Sequence, residues 1–101
     1  MKENKIKEVL SILGLKPYEP FKTLDSIYTY VFNDRLKVIS MDRDGDKIYS
    51  GPFESSLLIY LIKGDKTAIK LTNNEYNRLL KGLSQWHTEL YNKIVKYNTE
   101  R

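Results

Sequence analysis

Two stretches of this sequence carry side chains suited to chemistry. Asp42-Arg43-Asp44-Gly45-Asp46 sets three carboxylates around a glycine, the composition of a calcium-binding loop. In such a loop the sixth-position glycine makes the turn and a twelfth-position glutamate holds the ion through both oxygens. With Gly45 as that glycine, Ser40 takes the first ligand position and Gly51 the twelfth, so the obligatory carboxylate is missing. The segment reads instead as a β-hairpin turn, since Asp-Gly tolerates the positive φ such turns require. The second stretch surrounds His87, the only histidine in a chain without cysteine, which excludes paired-histidine and thiolate metal sites. A histidine base also needs an orienting carboxylate, and Glu89, two residues along the same helix, points elsewhere. With no glycine-rich phosphate loop or nucleophile elbow, the sequence assigns no catalytic residue, no cofactor and no metal, and the expected class is not an enzyme.

Aromatic and basic side chains offer binding chemistry in place of catalysis. Tyr28, Tyr30 and Phe32 alternate along one strand and share a face, which can stack on bases or fill a core. That strand has no basic residue, so the core reading is preferred. Farther on, Asn74, Arg78, Lys81, Gln85, Thr88, Asn92 and Lys96 form one polar helical stripe. Arg78, Lys81, Lys93 and Lys96 are the candidates of this C-terminal helix for phosphate contacts, against the ordinary meaning of a solvated face. Leu83, Trp86, Leu90, Tyr91 and Ile94 are the candidates for docking a partner protein, because Trp and Tyr are enriched among the residues that anchor interfaces.

Both sets lie on what reads as one long helix, from about residue 73 to 98, that extends from a compact 1–71 core. Thr72-Asn73-Asn74-Glu75 is a capping box that starts it, and Tyr76, Leu79, Leu80, Leu83, Trp86, Leu90, Ile94 and Tyr97 recur at three- and four-residue intervals. Such a helix spans roughly 40 Å, more than the roughly 30–35 Å expected for a domain of this length. The excess predicts an overhang in need of a partner, unless Gly82 bends the distal half back onto the domain.

The remaining elements follow from spacing and punctuation. Ile6, Val9, Leu10 and Leu13 predict a helix over residues 2–13 that Gly14 ends, and Pro17 and Pro20 make residues 15–21 a connector. Strands are expected over 27–32, 36–41 and 46–49, with Asp44-Gly45 as a two-residue loop that sets Arg43 opposite Asp46, Asp42 opposite Lys47 and Met41 opposite Ile48. Gly51-Pro52 breaks the sheet, a short helix covers 54–63 up to Gly64, and a fourth strand at 67–71 leads into the capping box. This order predicts one α+β domain with an antiparallel sheet. The hydrophobic share of 41% suits a folded globular chain, and the longest apolar run, Leu57–Ile62, has six residues where a membrane crossing needs about 20. No signal peptide is visible, so a cytoplasmic setting is expected. The net charge of +4 comes from the ends, residues 1–22 and 73–101, while the middle is neutral.

Glu19-Pro20-Phe21 after Leu13-Gly14-Leu15-Lys16-Pro17, followed by Ser56-Leu57 through Leu61 and Gly64, resembles a pattern in small phage and prophage proteins of low-GC Gram-positive bacteria. A single alanine, Ala68, among many Lys, Ile, Asn and Tyr residues agrees with AT-rich coding. The resemblance covers about residues 6–71 and stops where the long helix replaces a short tail. It implies a non-enzymatic protein of a phage or mobile element that docks on a bacterial protein and blocks it, of anti-CRISPR type, with a nucleoprotein effector such as a CRISPR nuclease as target. The runner-up is a nucleic-acid-binding accessory protein, and a homodimer through paired C-terminal helices is compatible with either.

Overall fold

Tyr28–Phe32 is buried on both sides, and the architecture follows from that. The computed structural model describes residues 3–49 and 56–98, so the Gly51-Pro52 break and the expected start of the middle helix at Glu54 lie outside the described residues. The elements are α1 (Glu3–Ile12), β1 (Phe21–Lys22), β2 (Tyr28–Phe32), β3 (Val38–Asp42), β4 (Ile48–Tyr49), α2 (Leu57–Lys63), β5 (Ile69–Lys70), α3 (Asn73–Trp86) and α4 (Thr88–Tyr97). The strands form one antiparallel sheet in the order β4-β3-β2-β1-β5. Because side chains alternate along β2, Tyr30 and Phe32 join Ile6 and Leu10 of α1 and Leu57 and Leu61 of α2. Val31 joins Met41 of β3, Leu79 and Leu83 of α3, and Leu90 and Ile94 of α4. The fold is α+β, with helices on both faces of the sheet.

The expected connector at residues 15–21 contributes a strand. Phe21 pairs with Tyr30 on one side and Lys70 on the other, closing the sheet between β2 and β5. Its ring is fully buried, 5.5 Å from Phe32 and 5.6 Å from Tyr30 between centroids. Two residues are too few to show strand periodicity beside the stronger local signal of Pro17 and Pro20. Glu19, also buried, accepts from the Lys16 N–H at 3.1 Å and lies 3.7 Å from Lys70. The Glu19-Pro20-Phe21 motif therefore serves the core.

In the β3–β4 hairpin the expected register holds while the loop is longer. Met41 pairs with Ile48, and Asp42 N–H donates to the Lys47 carbonyl at 3.0 Å. Arg43 does not face Asp46. The turn closes with Gly45 N–H donating to Asp42 at 3.0 Å, leaving residues 43–46 as the loop, and Arg43 Nη2 donates to the Ser26 carbonyl at 3.1 Å. β3 likewise begins at Val38 rather than Leu36, because Asn33 Oδ1 accepts from Arg35 and Lys37 and holds Leu36 in a left-handed turn with φ 61°.

The single long helix of the sequence reading is two helices, and no overhang exists among the described residues. The capping box forms as expected, with Thr72 Oγ1 accepting from Glu75 N–H at 3.2 Å and Glu75 accepting from Thr72 N–H at 2.9 Å. The chain then breaks at His87 (φ −142°, ψ 63°), not at Gly82. The longest dimension of the molecule is 34 Å, so a straight run of roughly 40 Å would carry Leu90 and Ile94 off the sheet. Burying each stabilises by roughly 1.5–3 kcal/mol, and the break returns both to the core.

Gly82 has a different task. A Cβ there would overlap the Asp44 carbonyl oxygen and lie 2.8 Å from its carbon, while one on Gly45 (φ 72°) would overlap the Leu79 carbonyl and lie 2.9 Å from Leu83 N. Hairpin backbone and helix backbone touch across these two residues. Helix propensity alone makes Gly82→Ala stabilising by about 1 kcal/mol; this contact makes it destabilising by about 1–3 kcal/mol, to be read from urea denaturation midpoints.

Lys22 Nζ reaches both Glu75 oxygens, at 2.9 and 2.8 Å, and ties β1 to the start of α3. This ammonium, helped by the Thr72 N–H, holds the Glu75 carboxyl down at about 2 against an ordinary 4.5. A depressed folded-state value stabilises above the unfolded one. The stability gap between wild type and Glu75→Gln should accordingly be full above pH 4.5 and vanish as pH falls to about 2, which denaturant titrations across that range measure.

Candidate functional site

The helix break leaves the outer part of the sheet only partly covered. Ile39 and Ile48 lie on the same face as Met41, half-buried against the cluster that holds Leu83 and Leu90, and between them and the start of α4 opens a cleft of about 520 Å³. Tyr18, Ile39, Ile48 and Leu90 form its apolar wall; Trp86, His87, Glu89 and Lys93 stand around it. The volume falls within the range of small-ligand and side-chain pockets.

Each wall residue is fixed by a different part of the fold. Tyr18 has a left-handed φ of 59°, held by its N–H donating to Phe32 at 2.7 Å and by Asn98 Nδ2 donating to its carbonyl at 2.8 Å. Its ring packs 5.0 Å from that of Tyr97 and lies 5.7 Å below the Lys93 ammonium. His87 donates its N–H to Leu83 at 2.7 Å, and its Nε2 lies 3.2 Å from the Asp46 carbonyl. That bond ties the ring to the hairpin. No group of three or more His, Asp or Glu side chains able to hold a metal gathers among the described residues.

The structure divides the five docking candidates. Leu83 and Ile94 are fully buried, Leu90 is nearly so, and Tyr91 is half-buried, all packed into the core on the α3–α4 side of the sheet. They are corrected to core residues because the sheet takes the apolar face that an overhang would have exposed. Trp86 differs: two thirds of its surface is open, at 67% exposure. Pairing two copies through this helix face would likewise need side chains that Val31 and Met41 already cover.

The basic candidates do not form one row. Arg78 Nε pairs with Asp44 on the hairpin tip, and Lys93 lies 3.8 Å from Glu89. Lys81 is exposed on α3 and Lys96 on α4, and the break between the two helices removes their common axis. Sequence reasoning missed Tyr18, Ile39 and Ile48 as cleft residues. Alternation placed Ile39 and Ile48 on the correct face, but whether a helix covers them depends on where α3 stops.

Trp86 is the only tryptophan, so it reports on the cleft directly. Its emission should lie close to that of the unfolded chain and be quenched by iodide. By contrast, Leu83→Ala should cost about 2–5 kcal/mol of stability, and Trp86→Ala less than about 0.5 kcal/mol, as an exposed position does; denaturant titrations distinguish the two.

No helix among the described residues is long and apolar enough to cross a membrane. Comparison of the chain with protein-family models, with curated proteins and with solved structures finds no match.

Proposed function

We propose that this chain is a non-enzymatic binding protein that docks on another protein through the Trp86 cleft and blocks it. The observation that carries the reading is Trp86 itself, open to solvent beside an apolar cleft, on a helix pair, α3 and α4, that buries Leu79, Leu83, Leu90 and Ile94. An exposed indole beside an apolar pocket is the pairing from which interface hot spots are built. A partner side chain inserted between Trp86 and Ile48 covers both, and His87, Glu89 and Lys93 supply the polar rim that fixes its orientation.

The target class comes from the resemblance of residues 6–71 to small phage proteins. It is a bacterial immune effector, such as a CRISPR nuclease, met in the cytoplasm of the host. A chain of net charge +4 is a poor mimic of DNA, so docking by shape and apolar contact is the expected mode. The nucleic-acid reading is weaker, since Arg78 and Lys93 each have a carboxylate partner on the protein itself.

The test compares wild type with Trp86→Ala, both verified as folded by circular dichroism. Wild type should suppress DNA cleavage by an immune effector of a Gram-positive host and bind that effector directly. Trp86→Ala should bind at least about 30-fold more weakly, the effect of losing a hot spot of about 2 kcal/mol. Equal suppression by the two proteins would overturn the cleft as the docking site, and no suppression of any effector tested would overturn the inhibitory function.

A further inference from the structure

β4 is an edge of the sheet, and its pairing with β3 settles which main-chain groups that edge presents. Asp42 N–H donates to the Lys47 carbonyl at 3.0 Å, and Met41 and Ile48 stand opposite each other. Hydrogen-bonded and non-bonded pairs alternate in an antiparallel ladder, so Met41–Ile48 is a non-bonded pair and the Ile48 N–H and C=O point outward, away from β3. Neither has a partner among the described residues. Just before them the Asp46 carbonyl is engaged by His87 Nε2 at 3.2 Å. The free edge is therefore short, Lys47–Tyr49.

Such an edge is a template for another strand, and its side chains say which. Ile48 faces the Trp86 cleft, while Lys47 and Tyr49, one residue to either side, face the opposite side of the sheet. The Tyr49 ring packs 5.2 Å from that of Tyr28, and its hydroxyl donates to Asp42 Oδ1 at 3.1 Å. Negative charge gathers there: the pKa of Tyr49 is raised, chiefly by the bond to Asp42, with the charges of Asp42 and Asp46 adding to it. A strand laid along this edge therefore needs an aliphatic residue opposite Ile48 and a cation opposite Tyr49. Lys47-Ile48-Tyr49 run in reverse supplies both, so the edge is complementary to itself. Lys47 is exposed and has no ion-pair partner among the described residues. The other edge, β5, lacks this pattern, since its Lys70 already lies 3.7 Å from Glu19.

We propose that two copies of this chain pair edge to edge through β4, antiparallel about a two-fold axis at Ile48. The Ile48 N–H of each copy donates to the Ile48 carbonyl of the other. Lys47 of each copy then stands opposite Tyr49 of the other in a non-bonded pair, where side chains approach most closely, with its ammonium against the ring and toward Asp42. The contact is the same patch on both copies and closes at two. With the axis perpendicular to the joined sheet, both Trp86 clefts open on the same side. The pairing uses the main chain of Ile48 and the cleft its side chain, so neither reading depends on the other.

An edge of three residues buries far less than the roughly 800 Å² per partner of a standard interface, so the expected Kd is on the order of 0.1 mM. Sedimentation equilibrium of the full chain, from about 10 µM to about 1 mM so as to span that value, should show the mass rising from 11.9 kDa toward twice that. Amide hydrogen exchange at Ile48 should slow over the same range. Ile48→Pro removes the outward N–H without removing a bond to β3, and should abolish the rise while circular dichroism stays that of wild type. Lys47→Glu, which sets a carboxylate near Asp42, should weaken dimerisation about tenfold or more, whereas Lys63→Glu, the same change of charge on α2, leaves it unaltered. A mass that stays at 11.9 kDa over the whole range, or a dimer equally stable in wild type and Lys47→Glu, would overturn the proposal.

Discussion

The hairpin tip and α3 meet backbone to backbone at Gly45 and Gly82, and much of the molecule's other half is placed by that contact. Side chains normally hold a helix 8–10 Å from its neighbour; here two absent side chains let the Asp44 carbonyl lie on the helix surface. The approach brings Arg78 to Asp44 one turn earlier and His87 to the Asp46 carbonyl one turn later. Three points of attachment along one helix flank fix β4 and with it the far edge of the sheet. They also fix where α3 stops, because His87 holds the hairpin at the residue where the helical dihedrals end.

The elements that sequence exposes best are those whose signal is local. The capping box at Thr72, the left-handed stop at Gly64 (φ 82°) and the pairing of Met41 with Ile48 are each written in a few adjacent residues, and each is observed. What escaped depends on distant partners. Phe21 is a strand residue only because β2 and β5 lie on either side of it. Gly82 reads as a hinge from its helix propensity and acts as a notch only because the hairpin lands there. The two-sided burial of β2 was half legible, since the aromatic set Tyr28, Tyr30 and Phe32 outweighed Thr29 and Val31 as core material, yet both faces are covered.

The break at His87 was hidden for a physical reason. Leu83 and Leu90 are seven residues apart, close to two full helical turns, so the apolar stripe keeps its phase across the interruption. No change of period marks it. Only the length of the run against the size of the domain gave notice, and it pointed to an overhanging helix, with a bend at Gly82 as the alternative, whereas the chain turns at His87. Glycine flexibility suggested Gly82, but a residue whose missing side chain is filled by a neighbouring carbonyl is among the least free to bend.

The same phase argument explains why Trp86 is exposed. It lies three residues after Leu83 and four before Leu90, on the stripe that packs into the core, and in an uninterrupted helix it would face the sheet with them. At the last residue of α3 the stripe has run out of sheet, and α4 leaves in a new direction that recovers Leu90 and Ile94 but not the indole. The half-covered ground is the Ile39–Ile48 corner, at the edge of the cluster that α3 and α4 build. Cleft and indole are therefore two products of one constraint: the hairpin sets the end of the helix, and the end of the helix leaves an aromatic side chain standing beside apolar surface that the described chain covers only in part.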